Sequence, residues 1–244
     1  MRLNDRTETT KKNKFYVTRF KNYIYCLIFN SYLRYKTRIT LLIRTDMDID
    51  NFLHKTPADV DPKPGHLLLA EPMMLDPNFY RSAILVLDRE DDGSHLGLIL
   101  NRELPATVDA IIAEWPGTET MPLFNGGPVE IDRLFLLHRL GRIVDDSIEI
   151  LPGIYTGGNA DQIRDYIASG AETDGMIRFF IGYSGWGTGQ LTKELLENSW
   201  AVNVNPDAAD LLRGSGEEFW RREVGRIGPD YRSWLNIPAH PSLN

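Results

Sequence analysis

The sequence predicts a mixed α+β domain built on a largely antiparallel sheet. Three observations predict it. Apolar runs of strand length are interleaved with helical patterns. The helices do not alternate strictly with strands, as they do in a doubly wound parallel sheet. The first two long strands are joined by a hairpin signal.

The elements follow in order. Residues 48–64 contain Pro57, Pro62 and Pro64 among many acids and read as a lead-in loop. A first strand is predicted over 67–71. Strands over 83–88 and 96–100 flank the sequence Glu90-Asp91-Asp92-Gly93-Ser94, in which Asp92-Gly93 supplies the positive φ of a tight turn. Val108, Ile111, Ile112 and Trp115 have helical spacing, and Pro116-Gly117 ends that helix. Strands over 134–140 and 147–151 follow. Asn159 is placed to cap a helix burying Ile163, Tyr166 and Ile167, with Gly170 as its stop. A strand over 177–183, a helix over 190–198 and a short strand over 200–204 come next. Asn205-Pro206 has the cap and first-turn signature of another helix, and Trp220, Val224 and Ile227 mark the last.

Charge divides the chain. Residues 1–46 hold 11 Lys/Arg and 3 Asp/Glu, a net of +8. The total of 27 basic and 34 acidic residues then leaves 16 and 31 after Asp46, a net of −15. The basic segment is compatible with a targeting peptide, a nucleic-acid arm, or translated sequence upstream of a start at Met47. The break in composition at a methionine favours the last. The expected organisation is an extension over 1–46, a lead-in over 47–64 and one domain over 65–244. An acidic domain repels a polyanion, so direct nucleic-acid binding is not expected. Arg221, Arg222 and Arg226 are interleaved with Glu217, Glu218 and Glu223 and read as a solvated helix face.

Several chemistries lack their residues. Cys26 is the single cysteine, so an intrachain disulfide or cysteine metal cluster is excluded. His54, His66, His95, His138 and His240 show no metal-ligand spacing. No apolar run reaches the ~18 residues of a membrane span. Residues 182–189 are glycine-rich but carry no Lys-Ser/Thr close, no third dinucleotide glycine and no complete nucleophile elbow. No cofactor is expected.

Three constellations remain. In Gly97-Leu98-Ile99-Leu100-Asn101-Arg102 an apolar strand ends in an amide and a guanidinium. Arg102 is either a surface arginine or a fork for a carboxylate or phosphate. In Phe124-Asn125-Gly126-Gly127-Pro128-Val129 the glycines make either a tight turn or a nest of N–H donors. His138, further along, is a core histidine or a weak catalytic candidate. In the third, Ser184, Gly185 and Trp186 lead to Gln190, Glu194 and Asn198, a polar stripe at helical spacing. Trp186 either stacks on a ligand or covers the core, and Ser184 has no visible base beside it.

At these residues the chain resembles the YqgE/AlgH family of bacterial proteins. The resemblance runs from about Gly65 to Leu235. It rests on Gly65-His-Leu-Leu-Leu-Ala-Glu-Pro-Met73 with Asp76 and Phe79, on 97–102, on 124–129 with Leu137-His138, and on 182–191 with Asn198 and Trp200. It implies a bent, partly barrel-like sheet flanked by helices. It brings a label of transcriptional regulation of exopolysaccharide synthesis, and no agreed catalytic residues to transfer.

The resulting expectation is a cytoplasmic domain binding a small anionic ligand at Asn101, Arg102, Gly126, Gly127, Ser184, Gly185, Trp186 and Gln190. Any part in transcription would be indirect. The alternatives are a hydrolase or transferase using His138 or Glu194 in the same pocket, and a regulatory scaffold acting through a protein partner.

Overall fold

The structure is a computed structural model that describes residues 61–239. The expectations for 1–46 and 47–60, with Cys26, His54 and His240, lie outside the described residues.

The elements run β1 (Leu67–Ala70), β2 (Ala83–Arg89), β3 (His95–Ile99), β4 (Glu103–Thr107), β5 (Pro122–Asn125), β6 (Val129–His138), β7 (Ser147–Leu151), β8 (Ile154–Gly157), α1 (Ala160–Ala168), β9 (Ile177–Trp186), α2 (Gln190–Leu196), β10 (Trp200–Asn203) and α3 (Gly216–Ile227). All ten strands join one sheet, with the path β10-β1-β2-β3-β9-β6-β8-β7 and β4-β5 branching from β9. Every pairing is antiparallel except β5 with β9. The fold is therefore α+β with a largely antiparallel sheet, as the sequence predicts.

The sheet curls into a half-barrel. Gly65, two residues before β1, lies against the far edge strand β7. A Cβ there would stand 2.8 Å from the Ile150 carbonyl oxygen. The curl turns on β9, which serves two sets of neighbours. Its first half pairs with β5 and β6, and its end, at Ser184, Gly185 and Trp186, pairs with β3. Side chains alternate across a strand, so the sheet feeds separate cores. One gathers Leu68, Ile84, Val86, Ile99, Trp186, Leu191, Leu195 and Trp200 beneath α2. Another gathers Val108, Leu123, Leu140, Ile163, Ile167, Ile177 and Phe179 beneath α1. On α3, Phe219, Trp220 and Val224 are buried.

Local chemistry explains most elements. The hairpin between β2 and β3 turns at Gly93, whose φ is +80°. Asn159 caps α1: its Oδ1 accepts the N–H groups of Asp161 (3.0 Å) and Gln162 (3.2 Å). Asn159→Ala is expected to lower stability by about 1 kcal/mol, read as a lower urea midpoint at unchanged slope.

Four expectations are corrected. The helix from Val108 to Trp115 is a single 3-10 turn, Val108–Ala110. Val108, Ile112 and Trp115 do pack against the core beneath α1, but Ile111 is 51% exposed and the backbone breaks into separate turns, with the Trp115 N–H bonding the Ile112 carbonyl three residues back. No helix follows Asn205-Pro206. Asp207 accepts the Ala209 N–H instead, and i+3 bonds from Asp210 and Arg213 make a run of turns. The strand expected over 177–183 continues to Trp186, because the glycine-rich stretch is taken up by pairing with β3. Strands β4, β5 and β8 have no strand pattern in the sequence reading above. Pro105 and Pro122 weaken the pattern in the first two, and their pairing is supplied by tertiary neighbours.

Candidate functional site

The three constellations converge on the middle of the sheet. The Gly126 carbonyl accepts the Ile99 N–H (2.9 Å) and the Ser184 hydroxyl (3.1 Å). The Arg102 carbonyl accepts the Asn125 N–H at 2.8 Å. Strand-end residues 99–102, the turn at 126–127 and the glycine-rich part of β9 are thus in direct contact.

Their polar groups bond largely to one another. The Gly126 N–H donates to Ile181 O (2.9 Å) and the Gly127 N–H to Asn125 Oδ1 (2.9 Å). The glycines permit close approach: a Cβ at Gly126 would stand 2.3 Å from Gly182 O. Buried Asn101 ties three segments together. Its Nδ2 donates to Arg81 O (2.9 Å) and Gly216 O (2.8 Å), and its Oδ1 accepts the Ala83 N–H (2.9 Å). Ser184 is fully buried, while Gly185 is exposed.

Arg102 differs from these. It is half-buried, and its Nη1 and Nη2 donate to the carbonyls of Pro77 (2.7 Å) and Tyr80 (3.2 Å). Among the described residues no carboxylate lies within ion-pair distance of it. Burial pushes the guanidinium below its usual value, and Asp76 pulls it partly back. Arginine stays charged under such a shift. The result is a cation aimed by two backbone carbonyls.

The loop that aims Arg102 also reaches the third constellation. Between Pro77 and Tyr80 stands Phe79, whose ring packs edge-on against Trp200 at 5.8 Å; Trp200 in turn meets Trp186 at 5.9 Å. Both indoles donate to one oxygen, Oε2 of Glu194, Trp186 at 2.9 Å and Trp200 at 2.8 Å. Gln190 donates to Oε1 (2.9 Å) and accepts the Gly187 N–H (3.1 Å). The stripe from Gln190 to Glu194 is therefore a hydrogen-bonded strap. Asn198 lies past the end of α2, with φ +57°. Trp186 is 3% exposed, packed within the core.

The sequence reading did not single out loop residues Pro77 and Tyr80, nor the link that Phe79 makes between Arg102 and the tryptophans. The signal was Asp76-Pro77-Asn78, a turn signature followed at once by two aromatic residues.

His138 lies elsewhere, at the end of β6 opposite Ile177. Its Nδ1 accepts the Leu140 N–H at 3.2 Å, which assigns the proton to Nε2. Nε2 then donates to Gly157 O at 3.1 Å, with the Ser147 hydroxyl at 3.4 Å. The ring stacks on Tyr155. No lone pair is left to take a proton from Ser147. Burial holds the imidazole below its usual pKa of about 6.5, so it is neutral at pH 7. The depressed value means that the unfolded chain binds the proton more readily. The stability held by the neutral ring is full above that pH and is lost as pH falls through the folded value. Urea midpoints are expected to drop below pH 6.5, and less steeply in His138→Gln.

Among the described residues no three His, Cys, Asp or Glu side chains are grouped to hold a metal, and no helix is long and apolar enough to cross a membrane.

Comparison with known proteins agrees with the family resemblance. A family model described as AlgH-like matches residues 67–232. A UPF0301 protein of Bacteroides thetaiotaomicron is 40% identical over 199 residues, covering 81% of this chain and all of that protein. One from Parabacteroides distasonis is 37% identical over 196 residues, covering 80% and 98%. Among solved structures, the AlgH protein of Pseudomonas aeruginosa matches with a TM-score of 0.56 at 26% identity, covering 74% of this chain and 99% of that one. A crystal structure from Corynebacterium diphtheriae matches with a TM-score of 0.64 at 21% identity, covering 78% and 100%, and shows the shared fold.

Proposed function

The chain belongs to the AlgH-like family, and from that premise we propose that it binds a small anionic ligand at Arg102 and the loop from Asp76 to Tyr80. One observation carries the reading. Arg102 is a half-buried guanidinium fixed by two backbone carbonyls, with no acid in ion-pair contact among the described residues. A cation so placed has donors left for a carboxylate or phosphate, and Arg binds both as a planar fork. Asn101, Gly126, Gly127 and Ser184 hold the strand end that presents it. Trp186, Gln190 and Glu194 support the loop through Trp200 and Phe79.

Catalysis at His138 or Glu194 is the weaker reading. Both ring nitrogens of His138 are engaged, and Glu194 holds two indoles. A part in transcription would run through the ligand or a protein partner in the cytoplasm, since the chain after Asp46 has a net charge of −15.

The test is a thermal-shift screen of the full chain against nucleotides, sugar phosphates and carboxylate metabolites. Arg102→Ala and Arg102→Lys are screened beside it. A ligand at ~100 times its Kd adds roughly 2.7 kcal/mol, or several degrees. The expected result is a shift abolished in Arg102→Ala and reduced in Arg102→Lys. A shift of equal size in all three proteins would move the site away from Arg102, and no shift with any compound would overturn the reading.

A further inference from the structure

We draw no further inference here: the strongest candidate, the part-exposed Phe135–Tyr183 ring pair on β6 and β9 with Arg133 over Phe135, carries nothing because Tyr183 already lies across the α-carbon of Gly185 and nothing in the structure shows what else would cover the pair.

Discussion

Gly127→Ala is expected to be the most damaging single-methyl change in the described domain. The new Cβ would stand 2.2 Å from the Tyr183 carbonyl carbon and 2.4 Å from the Ser184 nitrogen. Those atoms belong to β9, a central strand, and cannot swing aside as a side-chain end does. The residue also has φ +151°, where a side chain adds backbone strain. Together these place the loss at about 4 kcal/mol or more, the range reserved for core disruption. Urea unfolding is the measurement, with soluble yield reported beside it. Gly153→Ala is the control: its φ is also positive, at +85°, but nothing beyond its own chain neighbours lies within 4 Å of the added Cβ. A loss at Gly127 no greater than at Gly153 would show that β9 yields at this point.

Glu194→Leu is expected to have the second largest effect. The substitution keeps an apolar bulk on α2 but removes the acceptor for two buried indole N–H groups, those of Trp186 and Trp200. Each orphaned donor costs on the order of 1–3 kcal/mol, so a loss of roughly 2–6 kcal/mol follows. Near-UV circular dichroism should weaken as the tryptophans lose their fixed orientation. Glu194→Gln retains a carbonyl acceptor and should lose less. An unchanged tryptophan signal in Glu194→Leu would mean that packing alone, through Leu191, Leu195 and Phe79, sets the ring positions.

The sequence was legible where local chemistry decides the outcome. Asn159 announces α1 because its cap acts within three residues. Asp92-Gly93 announces the β2–β3 hairpin because the turn selects its residues. Trp220 and Val224 mark the buried side of α3. The sequence was opaque where distant neighbours decide. β5 reads as part of a turn until β9 is beside it. Ser184, Gly185 and Trp186 read as a loop until β3 pairs with them. Val108, Ile112 and Trp115 carry helical spacing and do face one core, but the backbone reaches it through a single 3-10 turn and looser turns.

The candidate site stands out in the sequence by composition and not by role. Asn101, Arg102, Gly126 and Gly127 stand out as unusual residues, and the structure does bring them together. Their division of labour could not be read in advance. Asn101 and the glycines spend their hydrogen bonds inside the fold, whereas Arg102 is steered by carbonyls that no residue type encodes. Glu194 was visible as one member of a polar stripe. That two tryptophans would share its oxygen depends on β9 and β10 flanking α2.

The double duty of β9 also orders events in time. During synthesis β1, β2 and β3 emerge first, yet β3 gains its second neighbour only when Gly185 and Trp186 appear. Leu67 in β1 waits longer still, for Asn203 in β10. Until then the nascent sheet has open edges rich in leucine, the kind of surface that recruits chaperones or aggregates. So large a share of long-range pairing puts refolding of the released chain toward the slow end of the single-domain scale. A truncation before β9 leaves an unfinished sheet, with β1 to β3 exposed along the seam that the last third of the chain exists to close.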